Sequence, residues 1–235
     1  DGEISCAEAA AFTEDMNVSN KSIADLTGIE AFTNLTYLRC SQNSLTSFDV
    51  SQNTALTYLN CFNNMLTSID VSNNTALTYL SFSNNNVTSL DVSNNTALET
   101  LSFASNSVAS LDVSNNTALT ELDIGDNNIS SIDVSAHPAL KYLYCDNNNI
   151  TSLDVSNNTA LTKLDIGENN ISSIDVSAHP ALKYLYCDNN NITGLDVSNN
   201  PSLAYFYCNN NQLTSLDVAN NPAIYSLKCN VNSLT

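Results

Sequence analysis

The sequence predicts a parallel β-solenoid, and two observations carry that prediction. The first is a repeated leucine, once replaced by isoleucine, every 21 residues: Leu35, Leu56, Leu77, Leu98, Leu119, Leu140, Leu161, Leu182, Leu203 and Ile224. The second is the alternation of apolar and polar residues that follows each of them, which is typical of a half-buried strand. A period this short indicates near-identical turns of chain, called coils below, stacked in register so that their strands form a parallel sheet.

Residues 1–34 break the period and are predicted to form an N-terminal cap. Residues 7–12 favour a short helix, and Ile23, Leu26 and Ile29 then mark a slightly longer, atypical first coil. Such a cap covers the apolar cross-section that the first regular coil would otherwise expose to water. The sequence therefore divides into a cap, residues 1–34, and ten coils, residues 35–235, of which the last is incomplete.

Each coil carries an asparagine at its ninth position, counted from the repeated leucine. These residues are Asn43, Asn64, Asn85, Asn106, Asn127, Asn148, Asn169, Asn190, Asn211 and Asn232. An amide donates and accepts hydrogen bonds, so this column is predicted to satisfy backbone groups of neighbouring coils. After it, Leu45, Phe48, Val50 and Ala55 return the chain with their apolar side inward, in irregular, short extended or 3-10 segments.

These motifs carry a resemblance to a known family. The pattern Leu-x-x-Leu-x-Cys-x-x-Asn-x-Leu, read from Leu35 to Leu45, resembles the leucine-rich repeat in the 21-residue form of secreted and surface proteins of Bacteroidetes and related bacteria. The recurrent Leu-Asp-Val-Ser-Asn-Asn, as in residues 90–95, is typical of that group. The first coil is similar to the start of internalin-like solenoids. The resemblance implies a right-handed leucine-rich-repeat solenoid in an extracellular or bacterial cell-surface protein, but a fold does not name a ligand.

The first eight residues suggest a possible calcium ligand set. Asp1-Gly2-Glu3-Ile4-Ser5-x-x-Glu8 resembles the second half of an EF-hand or dockerin-type calcium loop, with Glu8 at the bidentate position. The resemblance implies Asp1, Glu3, Ser5 and Glu8 as the metal-binding residues of an incomplete loop. The alternative is that this fragment only starts the helix, and no other cofactor is expected.

Composition excludes several classes of function. The net charge is −18, with 6 basic and 24 acidic residues, which argues against nucleic acid or an anionic membrane as partner. The sequence contains no stretch of about 18 apolar residues, the length that would predict a membrane-spanning helix. No Ser/His/Asp or Cys/His cluster, phosphate loop or zinc motif is present, so we expect no enzymatic activity.

Cysteine, aspartate and histidine each recur at fixed places in the coil. Six of the seven cysteines share one position with Phe82, Phe103, Ile124 and Ile166, so we interpret them as core residues, with a Cys187–Cys208 disulfide as the alternative. Nine aspartates form a column on the return segment: Asp49, Asp70, Asp91, Asp112, Asp133, Asp154, Asp175, Asp196 and Asp217. Each is predicted to accept a nearby backbone N–H, with a row of cation sites as the alternative. His137 and His179 replace a loop asparagine, too far apart to share a metal.

The variable residues of the strands point away from the core and form the candidate binding surface. The candidate ligand-binding residues are paired tyrosines and nearby carboxylates: Tyr142, Tyr144, Tyr184, Tyr186, Tyr205, Tyr207, Asp123, Asp165 and Asp188. Tyrosine is enriched in binding hot spots, although it also favours strands for structural reasons. This face would suit a protein or peptide with exposed lysine or arginine, or a glycan stacked on the rings.

The sequence therefore predicts an extracellular or cell-surface recognition module that binds a protein or peptide, in adhesion to a host or neighbouring cell. Two alternatives stay open: a carbohydrate-binding protein, and a passive spacer between other modules. The sequence stops halfway through a coil at Thr235. An open strand edge there predicts either more protein beyond it or end-to-end self-association.

Overall fold

The computed structural model describes residues 4–235, which form two compact units that divide between Ala118 and Leu119. Each unit is a parallel β-solenoid with one three-residue strand per coil. The strands of the first unit are β1 (Asp15–Asn17), β2 (Tyr37–Arg39), β3 (Tyr58–Asn60), β4 (Tyr79–Ser81) and β5 (Thr100–Ser102). Those of the second unit are β6 (Glu121–Asp123), β7 (Tyr142–Tyr144), β8 (Lys163–Asp165), β9 (Tyr184–Tyr186), β10 (Tyr205–Tyr207) and β11 (Ser226–Lys228). The predicted leucine-rich-repeat solenoid is confirmed.

Strand register follows the sequence period in both units. Leu59 of β3 lies opposite Leu80 of β4, and Leu164 of β8 lies opposite Leu185 of β9, so equivalent residues of successive coils are neighbours. In the cap, Met16 of β1 pairs with Leu38 of β2, which makes that coil one residue longer than the others. The longer first coil was predicted from the sequence, but strand β1 was not.

The cap contains the helical residues of the described chain, 4–235. Helix α1 spans Cys6–Ala11, and a 3-10 turn spans Ile29–Ala31. Ser5 starts α1 with a capping box, in which its side chain accepts from the backbone N–H of Glu8 while the Glu8 carboxylate accepts from the backbone N–H of Ser5. Among the described residues, no helix is long and apolar enough to cross a membrane.

The core of each coil consists of its two leucines, the cysteine position and the apolar return residues. Leu35, Leu38 and Cys40 have no exposed surface, and Leu45 and Val50 are also buried, whereas Phe48 and Ala55 are half-buried. All seven cysteines are free thiols, and five of the six at the repeated position are buried, which confirms their interpretation as core residues. Burial raises the pKa of Cys40 to about 12, so this thiol is protonated and unreactive at neutral pH.

Within each unit, the predicted asparagine column joins successive coils. The Asn64 amide donates to the carbonyls of Cys40 and Cys61, both at 3.0 Å, and its oxygen accepts from the Leu45 N–H at 3.1 Å. The same pattern recurs at Asn85 and Asn190. The structural role predicted for this column is confirmed, because its amides satisfy backbone groups that no strand pairs.

A second asparagine column, which we call the inner column, was not predicted. Its members occupy the nineteenth position of the coil and are buried: Asn53, Asn74, Asn95, Asn116, Asn158, Asn200 and Asn221. Asn74, for example, donates to the carbonyls of Val50 at 3.0 Å and Asn53 at 2.9 Å. His137 and His179 occupy the same position, so these histidines are buried members of this column rather than loop residues.

Candidate functional site

The strand face consists of the side chains at positions 3 and 5 of each coil, where the repeated leucine is position 1. In β8 and β9 the middle residue is buried and its two neighbours are half-buried on the outer side of the sheet. The prediction that these variable positions point away from the core is confirmed. Most tyrosines on this face are half-buried rather than fully exposed, because adjacent side chains cover one another.

Five side chains of the second unit form a continuous stack, which we call the lysine–tyrosine column: Tyr144, Lys163, Tyr186, Tyr207 and Lys228. The Lys163 Nζ lies 4.4 Å from the ring centre of Tyr144 and 5.2 Å from that of Tyr186. The ring centres of Tyr186 and Tyr207 are 4.8 Å apart, and the Lys228 Nζ lies 3.9 Å from the centre of Tyr207. An ammonium group at these distances is attracted to the negative face of the ring.

A second row of rings runs beside this column at position 3. Tyr184 and Tyr205 are stacked with ring centres 5.0 Å apart, and Tyr225 contacts Tyr205 with its ring centre at 5.6 Å. The Lys183 Nζ lies 5.4 Å from the centre of Tyr184, and the two rows meet where the rings of Tyr184 and Tyr186 are 6.5 Å apart. Strands β9 and β10 thus bring together four of the six predicted tyrosines as two adjacent pairs.

Lysines of this chain occupy ring faces that the sequence analysis assigned to a partner. Lys163 contacts Tyr144 and Tyr186, Lys228 covers Tyr207, and the rings of Tyr186 and Tyr207 pack against each other. A partner's lysine, or a sugar ring, would have to displace these contacts to reach the same ring faces. The outer surface instead presents ring edges and hydroxyl groups.

The neighbouring strands β6 to β8 carry the acidic part of the site. Burial, with a further contribution from Asp146, raises the pKa of Asp165 from its ordinary value of 3.8 to about 7, while Lys163 and the Gly167 N–H oppose the shift. Burial also raises the pKa of Asp146 and of Glu121. These carboxyl groups therefore hold protons more readily than solvated ones do.

Glycine makes room for one of these carboxylates. A Cβ added to Gly125 would lie 2.8 Å from Asp146 Oδ1, a contact that side chains essentially never make.

Of the other predicted residues, Asp188 is half-buried and accepts from the Asn189 amide at 2.7 Å, and Tyr142 is 40% exposed. Lys163, Lys183 and Lys228 belong to the site but were not predicted. Counting cations on adjacent strands in register would have identified them.

The strand face of the first unit has a simpler arrangement. Tyr37, Tyr58 and Tyr79 stack in one row, with ring centres 5.5 and 4.2 Å apart. Arg39 lies over the Tyr58 ring at 5.1 Å and forms an ion pair with Asp15 of the cap. At positions 3 and 5 of β2 to β5, the sequence has no carboxylate.

The aspartate column of the return segment consists of backbone acceptors. Asp91 Oδ1 accepts from the Ser93 N–H at 2.9 Å, and Asp154 and Ser156 repeat this contact at 2.9 Å. This hydrogen bond lowers the pKa of Asp91 and Asp154. The predicted backbone role is confirmed, and the described residues contain no group of three or more His, Cys, Asp or Glu placed to hold a metal ion.

The calcium hypothesis for the N-terminal residues stays a prediction. Asp1 and Glu3 lie outside the described residues. Glu8 Oε2 accepts from the Ser5 N–H at 2.9 Å and from the Ser5 hydroxyl at 2.7 Å. These hydrogen bonds lower the pKa of Glu8 and support the alternative that the segment starts a helix.

Comparison with known proteins identifies relatives in Listeria monocytogenes. The family described as Leucine Rich repeats (2 copies) matches residues 138–179 and 180–234. A segment of 47 residues, 20% of the chain, is 49% identical to internalin J and covers 5% of that protein. The functional domain of internalin J, described as including a cysteine ladder, is 44% identical in sequence and superposes with a TM-score of 0.97. That match covers 98% of this chain and 51% of the internalin J domain, so the chain spans about half the domain's length.

More distant structures share the fold. The Listeria internalin InlF is 26% identical with a TM-score of 0.80, over 97% of this chain and 76% of that protein. The leucine-rich-repeat protein LIC12759 of Leptospira interrogans is 21% identical with a TM-score of 0.73, over 88% of this chain and 63% of that protein. The second of these similarities concerns the fold alone.

Proposed function

We propose that this chain, a bacterial leucine-rich-repeat protein with an internalin-like fold, binds a protein or peptide through the strand face of its second unit. The observation that carries the proposal is the concentration of six tyrosines and two lysines at positions 3 and 5 of β7 to β11. Tyrosine offers a large contact area and a polar tip at a modest cost in side-chain entropy.

Contacts within the face support its use for binding. The lysine–tyrosine column holds rings and ammonium groups in place before any partner arrives, with neighbouring ring centres 4.8 Å apart at Tyr186 and Tyr207. A surface ordered in advance loses less side-chain entropy on binding, so more of the contact energy contributes to affinity. The turns on the opposite side carry asparagine, serine and aspartate whose amides and carboxylates bond to the backbone.

The same proposal includes an extracellular or cell-surface location and a role in adhesion. It rests on the similarity to internalin J and on the strand face. Carbohydrate binding is the second candidate, but the stacking of the rings on one another works against it, because sugars pack on open ring faces. A passive spacer would need no ordered aromatic face at all.

The test compares matched triple variants of the two units. Replacing Tyr184, Tyr186 and Tyr207 together by alanine should weaken binding to a protein partner by at least about thirtyfold, the loss expected for even one hot-spot residue. Replacing Tyr37, Tyr58 and Tyr79 together by alanine should leave binding unchanged. The measurement is binding of the fluorescent chain to a panel of intact bacterial and animal cells, before and after protease treatment of the cells.

Circular dichroism and the thermal midpoint of each variant control for loss of folding. Binding that survives the second-unit variant would exclude this strand face as the site. Binding that resists protease and appears on a glycan array would favour the carbohydrate candidate. Binding to neither cells nor glycans would favour the spacer.

A further inference from the structure

The outward side of β9 to β11 presents hydrogen-bond donors and positive charge. We call this surface the donor patch, formed by Tyr184, Tyr186, Tyr205, Tyr207, Lys183 and Lys228. Stacking turns the negative ring faces toward one another, so the positive ring edges and the hydroxyl groups point outward. The Tyr207 hydroxyl oxygen lies 3.4 Å from the Ser226 hydroxyl that donates to it, which leaves the Tyr207 O–H available as a donor.

Burial favours the protonated form of one of these donors, the Tyr186 hydroxyl. It raises the pKa of Tyr186, and more strongly that of Tyr144 in the same column, to about 12. The Tyr186 hydroxyl therefore stays a neutral donor at physiological pH. Lys183 and Lys228 are exposed, so their ammonium groups reach solvent at the edge of the patch.

Charge divides the strand face of the second unit into two parts. Positions 3 and 5 of β6 to β8 carry Glu121, Asp123 and Asp165, whereas the same positions of β9 to β11 carry no carboxylate. The nearest carboxylate in the following loop, Asp188, is half-buried and bonded to the Asn189 amide. Salt screens the remaining negative charge of the chain beyond about 8 Å at physiological ionic strength, so the local donors dominate a contact.

We infer that the donor patch binds an acidic, extended segment of a protein partner through that segment's carboxylate side chains. The inference rests on the proposed function and names the chemistry of the partner. Ring edges, hydroxyl groups and ammonium groups complement carboxylates. Alternate side chains of an extended segment are about 6.6–7 Å apart, which matches the spacing of positions 3 and 5 on one strand. A glycan is disfavoured because its rings would need open aromatic faces.

The test uses short blocked peptides of alternating glutamate and serine, with a lysine–serine peptide and an all-serine peptide as comparisons. Fluorescence anisotropy at neutral pH and physiological ionic strength measures their binding to the whole chain. We expect the glutamate peptide to bind at least about tenfold more tightly than the lysine peptide. Salt added above physiological ionic strength should weaken that binding, since charge contributes to it.

The chain supplies a matched control for Lys183 of the patch. Residues 119–160 and 161–202 are near copies, so Lys141 beside Tyr142 is the counterpart of Lys183 beside Tyr184. The variants Lys183→Gln and Lys228→Gln should each weaken binding of the glutamate peptide by about tenfold. This is the loss of affinity expected for one charge-assisted hydrogen bond. The variant Lys141→Gln should leave its affinity unchanged, and Lys228→Glu should shift preference toward the lysine peptide.

Three results would overturn the inference: tighter binding of the lysine peptide, equal effects of Lys141→Gln and Lys183→Gln, or no glutamate-peptide binding. If the chain binds polygalacturonate, a carboxylated polysaccharide, but not the glutamate peptide, the ligand of the donor patch is an acidic glycan and not a peptide. The proposed function can survive such a failure. If the Tyr184, Tyr186 and Tyr207 variant loses cell binding but the lysine variants keep it, the strand face binds a partner that is not acidic.

Discussion

The two units share one coil backbone but differ in what they place on it. In the first unit, three tyrosines stack in a single row and the one basic residue of the strand face, Arg39, is paired with Asp15. In the second unit, tyrosines occupy two rows, and Lys163 and Lys228 lie directly on ring faces. Because the backbone is the same, the difference in surface chemistry comes from side chains at positions 3 and 5, together with Lys183 and Tyr225 at position 2.

The inner column differs between the units as well. In the first unit it is asparagine in every coil, from Asn53 to Asn116, whereas the second unit has histidine at 137 and 179. Each asparagine donates twice to backbone carbonyls, but the His179 ring donates once, from Nε2 to the Val155 carbonyl at 3.0 Å. Its Nδ1 is buried and has no hydrogen-bond partner, and the same is true of the amide oxygen of each asparagine in this column. The second unit thus combines the more elaborate surface with a column in which His179 donates one hydrogen bond fewer than an asparagine does.

The largest expected effect tests whether the inner column stabilises both units equally. Asn158 donates to the carbonyls of Val134 and His137, both at 2.8 Å, and Asn74 makes the equivalent pair of bonds in the first unit. Replacing either by alanine should lower the free energy of unfolding by about 2 kcal/mol, about 1 for each hydrogen bond lost. Urea unfolding measures this loss of unfolding free energy.

An exposed asparagine serves as the control for these two variants. Asn157→Ala removes one surface bond to the Ser135 carbonyl at 3.2 Å and should change the unfolding free energy by less than about 0.5 kcal/mol. If Asn74→Ala were far more costly than Asn158→Ala, the column would stabilise the two units to different extents.

The fold was predictable from the sequence because stacking repeats the same contacts in every coil. The spacing from Leu35 to Ile224 fixes which residues are neighbours, and the ninth-position asparagines can be assigned a role by asking which backbone groups need partners. Strand β1 was missed because residues 15–17 lie outside the period and contain one apolar side chain, Met16. The inner column was missed because asparagine is also common in exposed turns, so burial could not be inferred from residue type.

The candidate site was predictable in position but not in chemistry. Alternation along the strand identifies Tyr144, Tyr186 and Tyr207 as outward-facing residues. It does not show that Lys163 and Lys228 lie on the rings, because that depends on side-chain direction across neighbouring strands. The raised pKa of Asp165 depends in the same way on burial by its neighbours.

The second prediction uses pH to separate the units. The pKa of Asp165 is raised from 3.8 to about 7 in the folded chain, so the folded state binds this proton more tightly than the unfolded state does. Its contribution to stability is complete below about pH 4 and is lost as pH rises through about 7. Asp165→Asn should therefore stabilise the chain above pH 7 by roughly 1–2 kcal/mol, after discounting for solvent screening, with little effect near pH 4.

Thermal midpoints measured between about pH 5 and 8 give the slope of stability against pH. The variant Asp91→Asn in the first unit is the control. The pKa of Asp91 is lowered by its bond from Ser93, so its stabilising contribution is complete above its unfolded pKa and is lost only in more acidic solution. That variant should leave the slope above pH 5 unchanged. If the pH dependence of stability persists in Asp165→Asn, another titrating group causes it.

The smallest expected effect tests whether histidine weakens the inner column of the second unit. The variant His179→Asn can restore the second donation, to the Asn158 carbonyl, while it exchanges the unpartnered Nδ1 for the unpartnered amide oxygen that the asparagines of this column have. Asn200 makes both donations while preceding Pro201, so the following Pro180 does not prevent this geometry. We expect a gain of about 0.5–1 kcal/mol in the free energy of unfolding, measured with urea, and a similar loss for the reverse change Asn200→His. If His179→Asn destabilises the chain, the imidazole contributes more by filling its cavity than it costs in hydrogen bonding, and the two units have equally well-fitted columns.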